Sequence, residues 1–232
     1  MQFKITGTTM PVLELVLGRG EGVIAESGEF SWMDADVQMQ TTTGGGGKGG
    51  FLGVLGRMIS GGTLFMTEFS AQRDGALVAF AAHVTGSIVK VDVLPDQEYL
   101  IHKHGFVCGT RGVNYSLGLQ KSLGSGIFGG DGFLLQKLSG QGAAFVELGG
   151  ECVERDLAPG ETILVHPHHV GMFQASVGFD ITFVKGIKNA VFGGDGLFQC
   201  RLTGPGRVWL QSMTVSRLAH AIYPYLPQPQ TK

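Results

Sequence analysis

The sequence predicts an all-β fold of three internal repeats of antiparallel β units around a pseudo-threefold axis, followed by a short C-terminal helix. Three observations predict it. One segment recurs at a constant offset, apolar residues alternate with polar ones, and 39 of the 232 residues are glycine. Because glycine adopts the positive φ of tight turns without steric cost, glycines between apolar runs are typical of short strands joined by turns.

The internal repeat is the strongest of these signals. The segment FGGDG at residues 128–132 recurs at 192–196, an offset of 64 residues. The same offset pairs identical or similar residues along both copies, among them Pro95 with Pro159, Leu100 with Leu164, His102 with His166, Val113 with Val177 and Phe145 with Trp209. A fainter upstream copy aligns at an offset of 76, where Ile24 meets Leu100 and Phe30 meets Phe106.

The copies are predicted to span residues 12–82, 86–148 and 150–212 of a single domain, 1–232, whose helix and tail occupy 213–232. The first copy is longer because it carries a glycine-rich loop, TTTGGGGKGG, at residues 41–50. Repeats of this size are whole sheet units, so we expect three of them to pack together and bury their apolar faces.

Alternation of period two predicts the strands within a unit. In the third copy, residues 162–165, 177–183 and 208–210 are predicted as strands bounded by glycine and proline. Alternation places one set of side chains on a single, core-facing side of the sheet: Val177, Phe179, Ile181 and Phe183. Short, closely spaced strands favour sandwich or barrel-like packing.

Two segments are candidates for helix. In residues 214–222, Val215, Leu218, Ala219 and Ile222 fall at helical spacing, Ser212 or Thr214 is available as N-cap, and Pro224 ends the helix. The second candidate runs from Phe51 to Ile59 (FLGVLGRMI), where the glycines disfavour helix. This apolar segment either covers the core of the first copy or docks a protein partner or a membrane surface.

Composition excludes several functional classes. A net charge of −2 and a pI of 6.4 provide no broad basic field for DNA, RNA or anionic membranes. The three cysteines, Cys108, Cys152 and Cys200, form no close pair, which favours a reducing compartment. The N-terminus lacks a signal-peptide pattern and no stretch of about 18 apolar residues exists, so a cytoplasmic protein without a transmembrane segment is predicted.

The glycine motifs are interpreted as structural. In FGGDG, Asp131 and Asp195 would repel phosphate, and the motif precedes a strand instead of a helix. The loop at 41–50 lacks the spacing of a phosphate-binding loop, and no G-x-S-x-G nucleophile motif occurs. The sequence therefore names no catalytic or cofactor-binding residue, and a protein that is not an enzyme is favoured.

Paired histidines are the main chemical feature. His102-Lys103-His104 and His166-Pro167-His168-His169 occupy matching predicted strand ends. Residues two apart on a strand face the same side, so pairs from two copies would converge at a pseudo-threefold axis and bind zinc or nickel. The alternative is that these histidines were duplicated with the unit and never meet. The candidate metal ligands are His102, His104, His166, His168 and, in the first copy, Glu26.

Three long segments carry a family resemblance: GVIAESGEFSWMDADVQMQT at 22–41, SGGTLFMTEFSA at 60–71 and FGGDGLFQCRLTGPGRVWLQSM at 192–213. The chain resembles the family named for the mitochondrial-inheritance protein twenty-four, once catalogued as a domain of unknown function. The resemblance implies an all-β fold of three repeats, grouped with the ring-forming tryptophan-sensing RNA-binding attenuation protein, and it implies oligomerisation. It brings no established reaction, cofactor or catalytic residue.

Fungal relatives have a mitochondrial role, but the chain shows no transit-peptide pattern, so it resembles the prokaryotic, cytosolic members. The histidine positions depart from the family pattern, where carboxylates, glycines or other residues are usual. A function of these histidines would therefore belong to this protein or a close subgroup.

Three functional hypotheses follow. The first is a non-enzymatic, self-associating structural or ligand-binding protein, because the architecture is repeated and no catalytic set is evident. The second is a metal-binding protein or metal-dependent enzyme that uses the paired histidines. The third is RNA binding, which is suggested by fold analogy only and is disfavoured by the net charge.

Overall fold

The computed structural model describes residues 1–42, 66–121, 133–183 and 198–227. In these ranges the regular structure is antiparallel β-sheet with one α-helix near the C-terminal end, so the all-β class and the C-terminal helix are both confirmed. The apolar segment from Phe51 to Ile59, both FGGDG motifs and residues 43–50 of the glycine-rich loop lie outside the described residues.

After β1 (Gln2–Thr6), the described chain passes through three successive sets of six strands. The first set is β2 (Val12–Leu17), β3 (Gly22–Glu26), β4 (Trp32–Met33), β5 (Val37–Thr42), β6 (Met66–Ala71) and β7 (Ala76–Ala81). The second is β8 (Gly86–Val93), β9 (Tyr99–His102), β10 (Phe106–Thr110), β11 (Val113–Lys121), β12 (Phe133–Gly140) and β13 (Gly142–Gly149). The third is β14 (Cys152–Leu157), β15 (Thr162–Val165), β16 (Val170–Gln174), β17 (Gly178–Phe183), β18 (Phe198–Thr203) and β19 (Gly206–Gln211).

Each set contributes its strands to two sheets in the same order. The first, sixth and third strands are neighbours, as in β8-β13-β10, and the fourth, fifth and second are neighbours, as in β11-β12-β9. Adjacent sets join where β3 pairs with β10 and β9 pairs with β16, which produces the two six-stranded sheets β5-β6-β3-β10-β13-β8 and β11-β12-β9-β16-β19-β14. In the two outer sheets, β1-β2-β7-β4 and β15-β18-β17, strands β4 and β15 are edge strands.

Three apolar clusters form the core, and each draws residues from more than one set. Phe145 of the second set packs among residues of the first set. Met172 and Trp209 of the third set pack in the second cluster, and Phe133 of the second set packs in the third. The sets therefore share their cores, and burial of one depends on the presence of its neighbour.

Period-two alternation is observed where it was predicted. Leu13, Leu15 and Leu17 are fully buried along β2. In and before β17, Val177 is buried, and Phe179 and Ile181 pack against the same cluster, which confirms the predicted core face at these three positions.

The helix α1 (Val215–Ile222) begins after Thr214, whose hydroxyl accepts a hydrogen bond of 3.1 Å from the backbone N–H of Arg217. Thr214 is thus the N-cap. Short 3-10 turns lie at Pro167–His169 and Tyr223–Tyr225. No helix in the described ranges is long and apolar enough to cross a membrane.

Candidate functional site

A cavity of about 550 Å³ is lined by residues from all three strand sets. Glu29 comes from the first set, His83 from the link that follows that set, the segment 102–104 and Glu147 from the second, and His168 from the third. Apolar side chains form much of the remaining wall: Val84, Phe133, Leu134, Pro167, Val170, Met213 and Val215. The cavity therefore has an apolar wall with polar groups converging on it.

Glu147 is a buried carboxylate at the junction of the first and second sets. It lies on β13 and is 3% exposed. Its oxygens accept hydrogen bonds from the backbone N–H groups of His83, at 3.0 and 3.1 Å, and of Val84, at 2.9 Å, just after β7. The Nδ1 atom of His83 lies 3.1 Å from the same carboxylate. These contacts offset the cost of burying the charge and hold the end of one set against the next.

Gln211 occupies the matching place at the junction of the second and third sets. It lies on β19, 64 residues after Glu147, and is 6% exposed. Its Oε1 accepts from the backbone N–H of Gly149 at the end of β13 at 3.0 Å, and its Nε2 donates to the carbonyl of His168 at 2.9 Å. At both junctions a buried side-chain oxygen therefore accepts a backbone N–H group from outside its own set. The oxygen belongs to a carboxylate at the first junction and to an amide at the second.

A histidine ring completes each junction. Nε2 of His102 lies 2.8 Å from the backbone carbonyl of Glu147, and Nδ1 of His169 lies 2.7 Å from that of Gln211. Because a carbonyl oxygen only accepts, the ring nitrogen donates in both cases. Burial lowers the pKa of His102 below its ordinary 6.5, and the hydrogen bond to Glu147 opposes that effect.

His83 bridges two carboxylates at one end of the cavity. Its Nε2 lies 3.2 Å from Glu29 and its Nδ1 lies 3.1 Å from Glu147. Burial raises the pKa of Glu29, with the charge of His83 acting in the opposite direction and the charges of Glu26 and Glu147 adding to the increase. The ring of His83 thus lies between the two carboxylates at this end of the cavity.

Three of the five predicted metal candidates reach this cavity. His102, His104 and His168 line it, whereas His166 and Glu26 are not among its described lining residues. The carboxylate of Glu26 instead accepts a hydrogen bond from the hydroxyl of Tyr115. Burial and the nearby charge of Glu26 raise the pKa of that tyrosine.

The assumption that each histidine pair shares one strand is wrong. Strand β9 ends at His102, and His104 follows in a turn with φ of 66°, the left-handed region. Strand β15 ends at Val165, and His168 belongs to the 3-10 turn Pro167–His169. Within the described ranges, no group of three or more His, Cys, Asp or Glu side chains is arranged to hold a metal ion. The metal site stays a prediction from the sequence.

Sequence reasoning missed Glu29, His83, Glu147 and Gln211. A signal was available for the last two, because each is the polar residue near the end of an otherwise apolar strand pattern and they are separated by the repeat offset of 64. No comparable signal marks Glu29 or His83, since their contacts join segments that are distant in the chain.

Comparison with known proteins places this fold in a family. The sequence profile of the mitochondrial biogenesis AIM24 family matches residues 3–213. The chain belongs to this family. The resemblance found in the sequence is therefore confirmed, and it concerns a family of unclear function.

A solved structure has a similar fold to this AIM24-family chain. An X-ray crystal structure of a protein from Streptococcus pyogenes is 23% identical to it, with a TM-score of 0.75, and the match covers 97% of this chain and 99% of that one. At this identity the likeness establishes the fold alone. None of the curated proteins matches the chain.

Exchanging the two junction side chains tests their roles in the AIM24-family chain. In Glu147→Gln an amide N–H faces backbone N–H donors, and in Gln211→Glu a carboxylate oxygen faces the carbonyl of His168. We expect each variant to lower the free energy of unfolding by about 1–3 kcal/mol in urea titrations, because a buried polar group loses its partner. Glu154→Gln, on the surface of β14, is the matched control and should change little. Unaltered stability of both junction variants would contradict the assignment.

The pKa of His102 predicts a pH dependence of stability. Because burial lowers this pKa in the folded protein, the unfolded chain binds a proton more readily below pH 6.5. Stability is therefore fully present above pH 6.5 and falls as the pH drops below 6.5 toward the lowered pKa of the folded protein. His102→Gln keeps a donor for the Glu147 carbonyl but does not titrate, so its urea midpoint should fall less over this range. Equal losses in the wild type and the variant would refute the prediction.

Proposed function

We propose that this chain is a non-enzymatic binding protein that holds a small, largely apolar molecule in the cavity between its three strand sets. The observation that carries the proposal is the cavity itself. Its volume of about 550 Å³ lies within the range of small-molecule sites, and its wall combines apolar side chains with a few converging polar groups.

The partners of the polar groups support binding over catalysis. Glu147 accepts two backbone N–H groups, His102 donates to a backbone carbonyl, and Gln211 spans two backbone groups. Thr214, the hydroxyl residue in the described lining, caps α1. These groups are occupied in holding the sets together, which leaves the described lining without an arrangement of nucleophile and base.

We propose further that the three strand sets are copies of one unit around a pseudo-threefold axis. The repeated strand order supports this, as do the set boundaries of 12–81, 86–149 and 152–211, which lie close to the copies at 12–82, 86–148 and 150–212. Glu147 and Gln211, which are one repeat offset apart, also make equivalent hydrogen bonds at the two junctions, as copies of one unit would.

Self-association is the third part of the proposal. Within the chain, the second strand of one set pairs with the third strand of the next, at β3·β10 and β9·β16. The remaining second strand, β15, and the remaining third strand, β4, both stand at sheet ends in the described structure. Both carry an exposed apolar side chain, Leu164 at 56% and Trp32 at 46%. Such edges are complementary and suited to pairing between copies of the chain.

Filling the cavity tests the binding function. We expect N-phenyl-1-naphthylamine, a neutral apolar fluorophore, to bind the wild type saturably with increased emission. Leu134→Trp places a bulky ring on the cavity wall and should abolish that binding while leaving the circular dichroism spectrum unchanged. Val153→Trp adds the same ring at an exposed position on β14 and should bind as the wild type does. Absence of saturable binding, or equal binding in both variants, would disprove the proposal.

Multi-angle light scattering tests self-association. We expect the wild type at micromolar concentration to have a mass that is a multiple of the 24.6 kDa monomer. Leu164→Lys puts a charge on the edge strand β15 and should shift the mass toward the monomer. Val16→Lys, on β2 between two paired strands, is the control and should keep the wild-type mass. A monomeric wild type would rule out this part of the proposal.

A further inference from the structure

We infer that Glu29, His83 and Glu147 form a proton-binding site, in which one proton beyond that of a neutral imidazole joins the two carboxylates through the His83 ring and keeps one end of the cavity closed. The proton site depends on the contacts of these three side chains alone, whereas its effect on a ligand depends on the proposed binding function. Both nitrogens of the His83 ring contact a carboxylate, and the site follows from this double contact.

The two contacts of the His83 ring require two protons. Nδ1 lies 3.1 Å from a carboxylate oxygen of Glu147, and Nε2 lies 3.2 Å from one of Glu29. A neutral imidazole carries one N–H and one lone pair, and an ionised carboxylate only accepts hydrogen bonds. With a single proton, one of the two contacts would therefore set a lone pair against a carboxylate oxygen. A second proton turns that repulsive contact into a hydrogen bond.

The positions of the two protons follow from the partners of the carboxylates. The oxygens of Glu147 accept the backbone N–H groups of His83 and Val84, so this carboxylate also meets Nδ1 as an acceptor. Because imidazole is a stronger base than a carboxylate, the second proton resides on Nε2 and faces Glu29. Burial raises the pKa of Glu29, and the charges of Glu26 and Glu147 add to the increase against the opposing charge of His83. The surroundings therefore favour a proton at this position.

The other charged and titratable groups near this site have interactions of their own. They are Glu26, Tyr115, His102, Lys103, His104 and His168. Glu26 accepts from Tyr115, His102 donates to the carbonyl of Glu147, and the three on the cavity wall each have an interaction within the protein. The described ring contacts of His83 with charged groups are those with Glu29 and Glu147, so these two carboxylates decide how many protons the ring holds.

Loss of the second proton releases the side chain of Glu29. His83 stays attached to the second set, because the hydrogen bonds from its backbone N–H to Glu147 do not depend on the ring proton. Glu29 belongs to the segment between β3 and β4, and its side chain is 21% exposed, so water solvates it once the contact with Nε2 becomes repulsive. Since Glu29 and His83 both line the cavity, their separation widens it at this end.

Nitrogen-15 chemical shifts of the histidine rings in the labelled full chain test the proton site, because they distinguish one ring proton from two. Spectra recorded from about pH 5 to about pH 9 cover the range in which histidine titrates. We expect the midpoint of the His83 signal, which is assigned by its absence in His83→Gln, to lie at least about one pH unit higher in the wild type than in Glu29→Gln. In that variant an amide N–H donates to a neutral Nε2, so no second ring proton is needed.

Two further variants control this measurement. Glu29→Ala removes the carboxylate outright and should lower the midpoint of the His83 signal as Glu29→Gln does. Glu154→Gln, on the surface of β14, is the matched control and should keep the wild-type midpoint.

Dissociation of bound N-phenyl-1-naphthylamine, followed by stopped-flow fluorescence, tests the closure of the cavity. In the wild type the dissociation rate should rise about fivefold as the pH passes upward through the His83 midpoint, as expected when one hydrogen bond is lost. In Glu29→Gln the rate should change by less than about twofold over the same range, because the hydrogen bond of the amide does not titrate.

The outcomes separate the proton site from the binding function. Equal His83 midpoints in the wild type, Glu29→Gln and Glu29→Ala would overturn the proton site. A higher midpoint in the wild type together with pH-independent dissociation of the probe would overturn its control of the cavity. If the probe does not bind the wild type at all, the binding function and the effect on a ligand fail together, and the ring titration alone decides the proton site.

Discussion

A carboxylate buried inside an apolar sheet costs free energy unless its oxygens are hydrogen-bonded, and Glu147 meets this requirement with backbone N–H groups of the preceding strand set. That constraint fixes where β13 lies relative to the end of β7. Gln211 fixes β19 relative to the end of β13 in the same way, with a neutral amide. The relative placement of the three sets therefore depends on these two buried polar residues together with the strand pairings β3·β10 and β9·β16.

Apolar packing reinforces this arrangement without specifying it. Phe145, Trp209 and Phe133 each pack in a cluster dominated by another set, so no set buries its full apolar surface alone. Burial of this kind is favourable but non-directional. The directional hydrogen bonds at the junctions select one arrangement among those that bury similar area, and the cavity is the space left where these junctions meet the turns after β9 and β15.

The histidines show why residue type alone does not assign a role. Among the sequence's metal candidates, His102 donates to the carbonyl of Glu147, and His169, which belongs to the same motif as His168, donates to that of Gln211. Both are structural donors at set junctions. His104 and His168 line the cavity beside Lys103. One short motif thus supplies both junction donors and cavity-lining groups, because turns rotate successive side chains to different surroundings.

The sequence by itself determined the fold class, the strand pattern of β15, β17 and β19, the helix capped by Thr214 and the family, because these depend on local periodicity, capping and long matching segments. The repeat offset in the sequence also identified His102, His104 and His168 as candidate ligands. Only the tertiary structure decided that Glu29, His83 and Glu147 form one cluster and that Glu26 pairs with Tyr115. These contacts join residues up to 89 positions apart, and their formation depends on how the sheets are placed, which no local pattern encodes.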